Sequence, residues 1–302
     1  MHSHRSFNVL CCIKPLSFQQ AWNGPVNKQT IIHVVDDVMK ELNVSREHLV
    51  LILTDAARYM TAAGSILQQL YPHLSHVTCI AHLLHNCAER VRISFLAVDN
   101  LIASIKLATV KNKDRKEMFA EIGYPPEPVI TRWATWLKAA LYYAKNLPDV
   151  NKIVERFEGD GKLVSRAKAA IADERLTADL TAIARDYTVL IELLEKCQTT
   201  TYTMKAAHTD LQNLSLGEDS CDVKIYIEKR MKNNPSFLDI VEFRRSDISP
   251  TLYHLLQNCQ PTTIAVERSF SILKKMLATD RNFKEDNVPF YCMMLYNSFN
   301  TE

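Results

Sequence analysis

The chain has 302 residues and a formal net charge of +2, with 47% hydrophobic and 23% charged residues. These ordinary globular values exclude a wholly disordered chain and a polybasic, histone-like protein. Only 6 residues are glycine, which disfavours glycine-rich dinucleotide-binding folds and favours a mainly helical chain. The cysteines are dispersed and no apolar run reaches the length of a membrane span, so we expect a reducing compartment and no membrane contact.

The first part of the chain alternates short apolar runs with helical patterns. Strands are predicted at 7–13, 49–54 and 76–79, and helices at 30–42, 56–71 and 81–107. Alternation of this kind predicts an α/β layer with some parallel strand pairing. Asp55 follows the second of these strands directly, so its carboxylate is expected at the edge of the sheet where ligands and metals commonly bind.

Strand patterns fade after residue 107, and helical patterns dominate the rest of the chain. Helices are predicted at 134–145, 167–172, 176–197, 203–214, 223–231, 264–277 and 289–296. A proline-rich break at 124–128 cannot be crossed by a helix. The stretch 111–116 is polar and basic, which makes it a candidate for contact with a polyanion.

Two groups of residues near the strand ends allow alternative interpretations. Asp55 is either the N-cap of the following helix or a metal-binding carboxylate. Cys79 and His82 have the spacing of a zinc half-site, with His76, His85 and Cys87 nearby. A second ligand pair is not evident, so packing at a strand–helix junction is the favoured interpretation.

Two groups farther along the chain also allow alternatives. Trp133 and Trp136 are spaced for one buried helix face, or Trp133 stacks on a base while Arg132 contacts a phosphate. Glu267 falls on or beside the apolar face of its helix, where an acid is costly unless it is paired or binds a metal.

Five short segments, taken together and in this order, resemble the hAT superfamily of cut-and-paste DNA transposases. They are Leu-Thr-Asp-Ala-Ala at 53–57, Cys-Ile-Ala-His-Leu at 79–83, Thr-Arg-Trp at 131–133, Thr-Ile-Ala-Val-Glu-Arg-Ser-Phe-Ser at 263–271 and Arg-Asn at 281–282. The resemblance implies a ribonuclease-H-like α/β core interrupted by a large all-helical insertion. The core would begin in 1–107, the insertion would occupy 108–255, and 256–302 would hold the closing core helices and the dimerisation region.

The resemblance also implies site residues. The family cleaves DNA with three carboxylates and divalent metal; Asp55 matches the second carboxylate and Glu267 the third, with Mg²⁺ as the cofactor only if the site is active. Cys79 and His82 match the family's Cys-x-x-His pair, and Trp133, beside Arg132, matches an insertion-domain tryptophan associated with the transposon end. Basic residues near the C-terminus are further candidates for contact with DNA: Lys274, Lys275 and Arg281.

The matched pattern lacks the strand bearing the first Asp and the amino-terminal zinc finger. We therefore expect a domesticated, non-catalytic protein without a cofactor, which forms dimers through its C-terminal region and binds DNA weakly. The resemblance implies the nucleus; without it the cytoplasm is expected. The alternative is a fragment of an active transposase. A third hypothesis, a helical interaction protein unrelated to DNA, predicts that Asp55 and Glu267 lie far apart rather than within about 10 Å around a metal pair.

Overall fold

A computed structural model of the chain describes residues 7–11, 14–18, 26–110, 112–129, 134–159, 161–217 and 220–264. These residues are mostly helical and contain one small sheet, so the prediction of a mainly helical chain is confirmed. No described helix combines the length and the apolar character needed to cross a bilayer.

The strands are β1 (Phe7–Cys11), β2 (Lys14–Phe18), β3 (Leu49–Thr54) and β4 (Ser75–Thr78). The helices are α1 (Lys28–Glu41), α2 (Arg58–Leu70), α3 (Ile80–Ser94), α4 (Leu96–Thr109), α5 (Lys113–Glu117), α6 (Thr135–Glu155), α7 (Lys162–Ile171), α8 (Leu176–Asp186), α9 (Thr188–Lys196), α10 (Met204–Gln212), α11 (Cys221–Lys232), α12 (Pro235–Val241) and α13 (Pro250–Gln257). Short 3₁₀ helices lie at Arg46–His48 and Ala120–Ile122.

The described residues pack into two compact units. The first unit comprises the residues up to His82, Cys197–His208 and those from Asn233 onward, and it contains the sheet. The second unit, Leu83–Lys196 and Thr209–Lys232, is built from helices. The domain boundaries predicted from the sequence stay a prediction.

The sheet has the strand order β2-β1-β3-β4. β1 pairs with β2 and with β3 in antiparallel fashion, whereas β3 and β4 are parallel, with Ile52 opposite His76 and Thr54 opposite Thr78. All six residues of β3 are buried, which is typical of a parallel strand covered on both faces. The carboxyl ends of β3 and β4 therefore meet at one edge of the sheet.

The core of the first unit holds α1 and α2 against β3. Its buried members share the helical and strand periodicities seen in the sequence: Val34, Val35, Val38, Met39, Leu49, Ile52, Leu67, Tyr71 and Leu74. α1 begins where Asn27 accepts a hydrogen bond from the Thr30 N–H, which satisfies one free donor of the first turn. This packing fixes β3, and with β3 the position of Asp55.

Two predicted long helices are each broken at an aromatic residue. The predicted helix 81–107 is divided into α3 and α4 at Phe95, and the predicted helix 176–197 is divided into α8 and α9 at Tyr187. The rings of Phe95 and Tyr187 pack edge to face, with centroids 6.0 Å apart. An edge-to-face aromatic contact is favourable beyond its buried area, and it links the two breaks in a way that local sequence patterns do not reveal.

Two proline positions differ from the predictions. No strand is predicted at 14–18, but Pro15 lies within β2, the second strand of a hairpin. α6 continues past the predicted end at 145 to Glu155, with Pro148 inside it. Proline removes one backbone donor from a helix, and the buried residues Val150, Ile153 and Val154 beyond Pro148 provide the packing that maintains the helix.

Candidate functional site at the carboxyl edge of the parallel strands

Asp55 lies at the carboxyl end of β3 and is half-buried. Its Oδ1 accepts a hydrogen bond from the Ala57 N–H at 3.0 Å. Ala57, not Asp55, is the N-cap residue of α2, so the simple capping interpretation is wrong. The bond is instead an Asx turn that leads into the helix, and it orients the carboxylate at the edge of the sheet.

His76 of β4 lies beside β3, the strand that Asp55 directly follows. Its Nε2 is 2.8 Å from the Thr54 hydroxyl, and that hydroxyl donates to the Asp55 carbonyl at 2.7 Å. Because the hydroxyl proton is used in this way, His76 must be the donor to Thr54, which requires a proton on Nε2. Burial lowers the pKa of His76 to about 4, although the Asp55 carboxylate acts in the opposite direction. His76 is therefore neutral at physiological pH.

Gly64 of α2 makes room for the His76 ring. A Cβ atom at this position would lie 2.1 Å from His76 Nδ1 and 2.4 Å from Cγ. No side chain fits at such a distance, so glycine is required here for close approach of the helix to the ring. The Thr54–His76 pair is thus packed from the side of α2 as well as hydrogen-bonded.

Cys79 joins the end of β4 to the last described segment of the chain. The Cys79 N–H donates to the Thr54 carbonyl at 2.8 Å, and the Cys79 Sγ accepts from the Thr263 N–H at 3.3 Å. The Ile80 N–H donates to the Pro261 carbonyl at 3.0 Å. Cys79 and Thr263 are both buried, so the segment that leads toward Glu267 is fixed beside the strand that leads to Asp55.

Asn234 is a site residue that the sequence did not reveal. Its side-chain amide pairs with both backbone groups of Thr78: Oδ1 accepts from the N–H at 3.0 Å and Nδ2 donates to the carbonyl at 3.1 Å. The sequence around Asn234 indicates only a break before Pro235. The two residues are separated by 156 positions, and no local signal points to such a distant contact.

His82, the second member of the Cys-x-x-His pair, is half-exposed on the first turn of α3. Over the described ranges no three His, Cys, Asp or Glu residues form a group that could hold a metal ion. His85, one turn farther along α3, accepts a hydrogen bond from the Ala134 N–H at 3.4 Å. Its ring therefore contacts the N-cap residue of α6.

Several predicted site residues lie outside the described residues. They are Arg132, Trp133, Glu267, Lys274, Lys275 and Arg281. Trp136 is described and buried, and its Nε1 donates to Asp99 at 2.8 Å, so the core interpretation holds for Trp136. In the basic stretch, Arg115 donates to the Glu158 carbonyl and Lys116 pairs with Glu127, so part of its charge serves internal contacts.

Comparison with models of known protein families gives no match for this chain, and comparison with curated proteins gives none either.

Proposed function

We propose that this chain is derived from a hAT transposase and acts by self-association and contact with nucleic acid rather than by cutting DNA. The observation that carries the proposal is the meeting of three of the matched segments at one edge. Asp55 follows Thr54, Cys79 donates to Thr54, and Thr263 donates to Cys79. Segments that would be unrelated in a generic helical protein here adjoin one another.

The position of Thr263 also favours convergence of the two acids. Glu267 is four residues after Thr263, and four residues reach at most about 14 Å even when fully extended. The chain therefore starts its approach to Glu267 from a point fixed beside the Asp55 edge. This is the arrangement that a shared metal site would have required in the ancestor.

The direction of the strands supports the ribonuclease-H-like interpretation. In that interpretation β1 is the second strand of the core, and β3, which ends before Asp55, is the fourth. The observed order β2-β1-β3-β4 agrees with this interpretation. On one side β3 pairs with the antiparallel hairpin of β1 and β2, and on the other side it pairs with the parallel strand β4. The helices of the second unit agree with a helical insertion into such a core.

The proposal that the chain does not cut DNA rests on the strands beside β3. Two-metal cleavage requires several carboxylates around the metal pair. β1 reads Phe-Asn-Val-Leu-Cys and β4 reads Ser-His-Val-Thr, so neither neighbour of β3 supplies an acid. His76, the polar residue that β4 does supply beside Asp55, is buried and neutral.

The test uses the full chain and a labelled DNA duplex in Mg²⁺ and in Mn²⁺. We expect a dimer by sedimentation, binding that weakens as salt rises, and no cleavage product. A monomer that binds no DNA at low salt would overturn the proposal.

The alternative is a strand-cleaving transposase, and the retention of Asp55 at the sheet edge favours it. Cleavage that disappears in Asp55→Asn and in Glu267→Gln would establish this alternative. Asp37→Asn is the matched control, because Asp37 is an exposed acid on α1 that pairs with Lys40.

A further inference from the structure

Two arginines flank one tyrosine on the surface of the helical unit. The guanidinium carbon of Arg90, on α3, lies 4.1 Å from the centre of the Tyr226 ring on α11. The guanidinium of Arg230, one turn after Tyr226, lies 5.2 Å from the same centre, and its Nε donates to the tyrosine hydroxyl at 3.1 Å. We call these three residues the two-arginine site.

Among the described residues, the two-arginine site has no acidic partner. Within the described residues, neither Arg90 nor Arg230 forms an ion pair, whereas Arg92 pairs with Asp99 and Arg185 with Asp186. Arg90 is exposed, and Tyr226 and Arg230 are half-exposed. Contact with an aromatic ring restrains a guanidinium without using its outward N–H groups. Two positive groups are thus held in place with donors free for a ligand.

The donors of the two-arginine site suit a phosphate. The Arg90 fork and the terminal nitrogens of Arg230 can each donate to anionic oxygens, as arginine commonly does with phosphate. The Tyr226 hydroxyl accepts from Arg230, so its own proton is available to an anionic oxygen of the ligand. A backbone phosphodiester has two non-bridging anionic oxygens on a tetrahedral centre, and each can accept more than one hydrogen bond, so three donors from different directions can share them.

Basic residues in the last turn of α11 extend the positive surface. Lys229 is exposed three residues after Tyr226, on the same face of α11, and Lys232 is exposed at the end of the helix. Cations at the C-terminus of a helix interact favourably with the helix dipole. That role alone would account for Lys229, Arg230 and Lys232. It does not account for Arg90, which comes from another helix. Several positive charges close together, Arg90, Lys229 and Arg230, fit a polymer of phosphates better than a single phosphate ion.

We propose that Arg90, Tyr226 and Arg230 bind a phosphate in the backbone of a nucleic acid. The inference rests on the proposed function, since it assigns part of the nucleic-acid contact to a definite place in the helical unit. Binding at this place is independent of sequence, because backbone contacts position a nucleic acid without reading its bases.

The test measures binding of the full chain to a fluorescein-labelled DNA duplex by anisotropy over a salt series. The double variant Arg90→Gln, Arg230→Gln is expected to bind about five- to tenfold more weakly at about 0.1 M salt, with a salt slope lower by about 1 because one phosphate contact is lost. Arg166→Gln is the matched control, because Arg166 is an exposed arginine of the same unit with no described partner. It is expected to change affinity by less than about twofold.

Two further variants separate the site from a general loss of charge or of folding. Arg230→Lys keeps the charge but loses the planar fork, and is expected to weaken binding about threefold. Asp222→Asn removes an acid one turn before Tyr226 on the same helix face and is expected to strengthen binding. All variants should have nearly the same melting temperature as the wild type, since surface substitutions rarely change stability by more than about 0.5 kcal/mol.

The outcomes distinguish this inference from the proposed function. Equal affinity of the Arg90→Gln, Arg230→Gln variant and of Arg166→Gln would refute the two-arginine site. The proposed function would still stand, without the two-arginine site, if binding were then reduced in the triple variant Lys274→Gln, Lys275→Gln, Arg281→Gln. Absence of DNA binding in the wild type would refute both. Tighter binding of a phosphopeptide than of DNA would refute the assignment to nucleic acid.

Discussion

The two units place their polar side chains in different environments. In the first unit, polar groups are buried and bonded to one another: Thr54 with His76, Cys79 with Thr263, and Asn234 with Thr78. In the second unit, charged groups such as Arg90 and Arg230 lie at the surface, in contact with an aromatic ring. A buried polar group that loses its partner bears the full desolvation penalty, whereas a surface group returns to water. Substitution should therefore reduce stability in the first unit and ligand affinity in the second.

The largest effect is expected from Asn234→Ala. Loss of the amide leaves both the N–H and the carbonyl of Thr78 without partners, which should lower the free energy of unfolding of the first unit by about 3 kcal/mol. Hydrogen exchange of the β3 and β4 amides, read beside urea unfolding, measures the loss within that unit. Asn233→Ala is the control, because Asn233 is exposed. Equal losses in the two variants would contradict the role of the amide.

Gly64→Ala is expected to cause the next largest loss of stability. The new methyl group would overlap the His76 ring, and overpacking of this kind costs about 2 kcal/mol. In a His76→Ala background the ring is gone, and the same substitution should become neutral or stabilising, because alanine favours a helix by about 1 kcal/mol over glycine. A double-mutant cycle by thermal unfolding gives the coupling, and additive effects would show that the contact is unimportant.

His76 should also make the first unit sensitive to acid. Its native pKa of about 4 lies below the unfolded value of 6.5, so the unfolded chain takes up a proton first as the pH falls. Stability is then full above pH 6.5 and decreases toward pH 4, by about 1–2 kcal/mol at pH 5. Urea unfolding of wild type and His76→Gln across this range measures the difference. Parallel pH curves for the two proteins would assign the acid sensitivity to other groups.

The smallest effect is expected in the second unit, from Asp99→Asn. Asp99 Oδ1 accepts from Arg92 Nε and Trp136 Nε1, each at 2.8 Å. The asparagine oxygen can still accept, and the site is partly exposed, so the loss should be about 1 kcal/mol. Asp149→Asn, on the exposed side of α6, is the control in a urea titration. A loss as large as that of Asn234→Ala would remove the contrast between the units.

The elements best predicted from the sequence are those whose packing follows a simple period. β3 was predicted at its observed ends, and α1 and α2 within two residues of theirs, because their apolar residues face one core. The breaks at Phe95 and Tyr187 could not be predicted, since each depends on a ring from a distant part of the chain. Similarly, α6 crosses Pro148 because of tertiary packing, which overrides the local preference of proline.

The candidate site was predictable in part. The place of Asp55 follows from a buried strand that ends in an acid, and the structure confirms that place. The link from Cys79 to Thr263 and the amide of Asn234 could not be predicted, because each joins residues more than 150 positions apart. The convergence of Asp55 and Glu267 stays a prediction, since Glu267 lies outside the described residues.

The amide of Asn234 has a consequence for how copies of this chain can meet. Among the described strands, β4 is the outermost at its side of the sheet, and an open strand edge allows another polypeptide to pair with it through the backbone. At Thr78 the Asn234 side chain already makes the two hydrogen bonds that an added strand would make, with one acceptor and one donor. Strand addition is hindered at this point, which protects this edge of the sheet from aggregation.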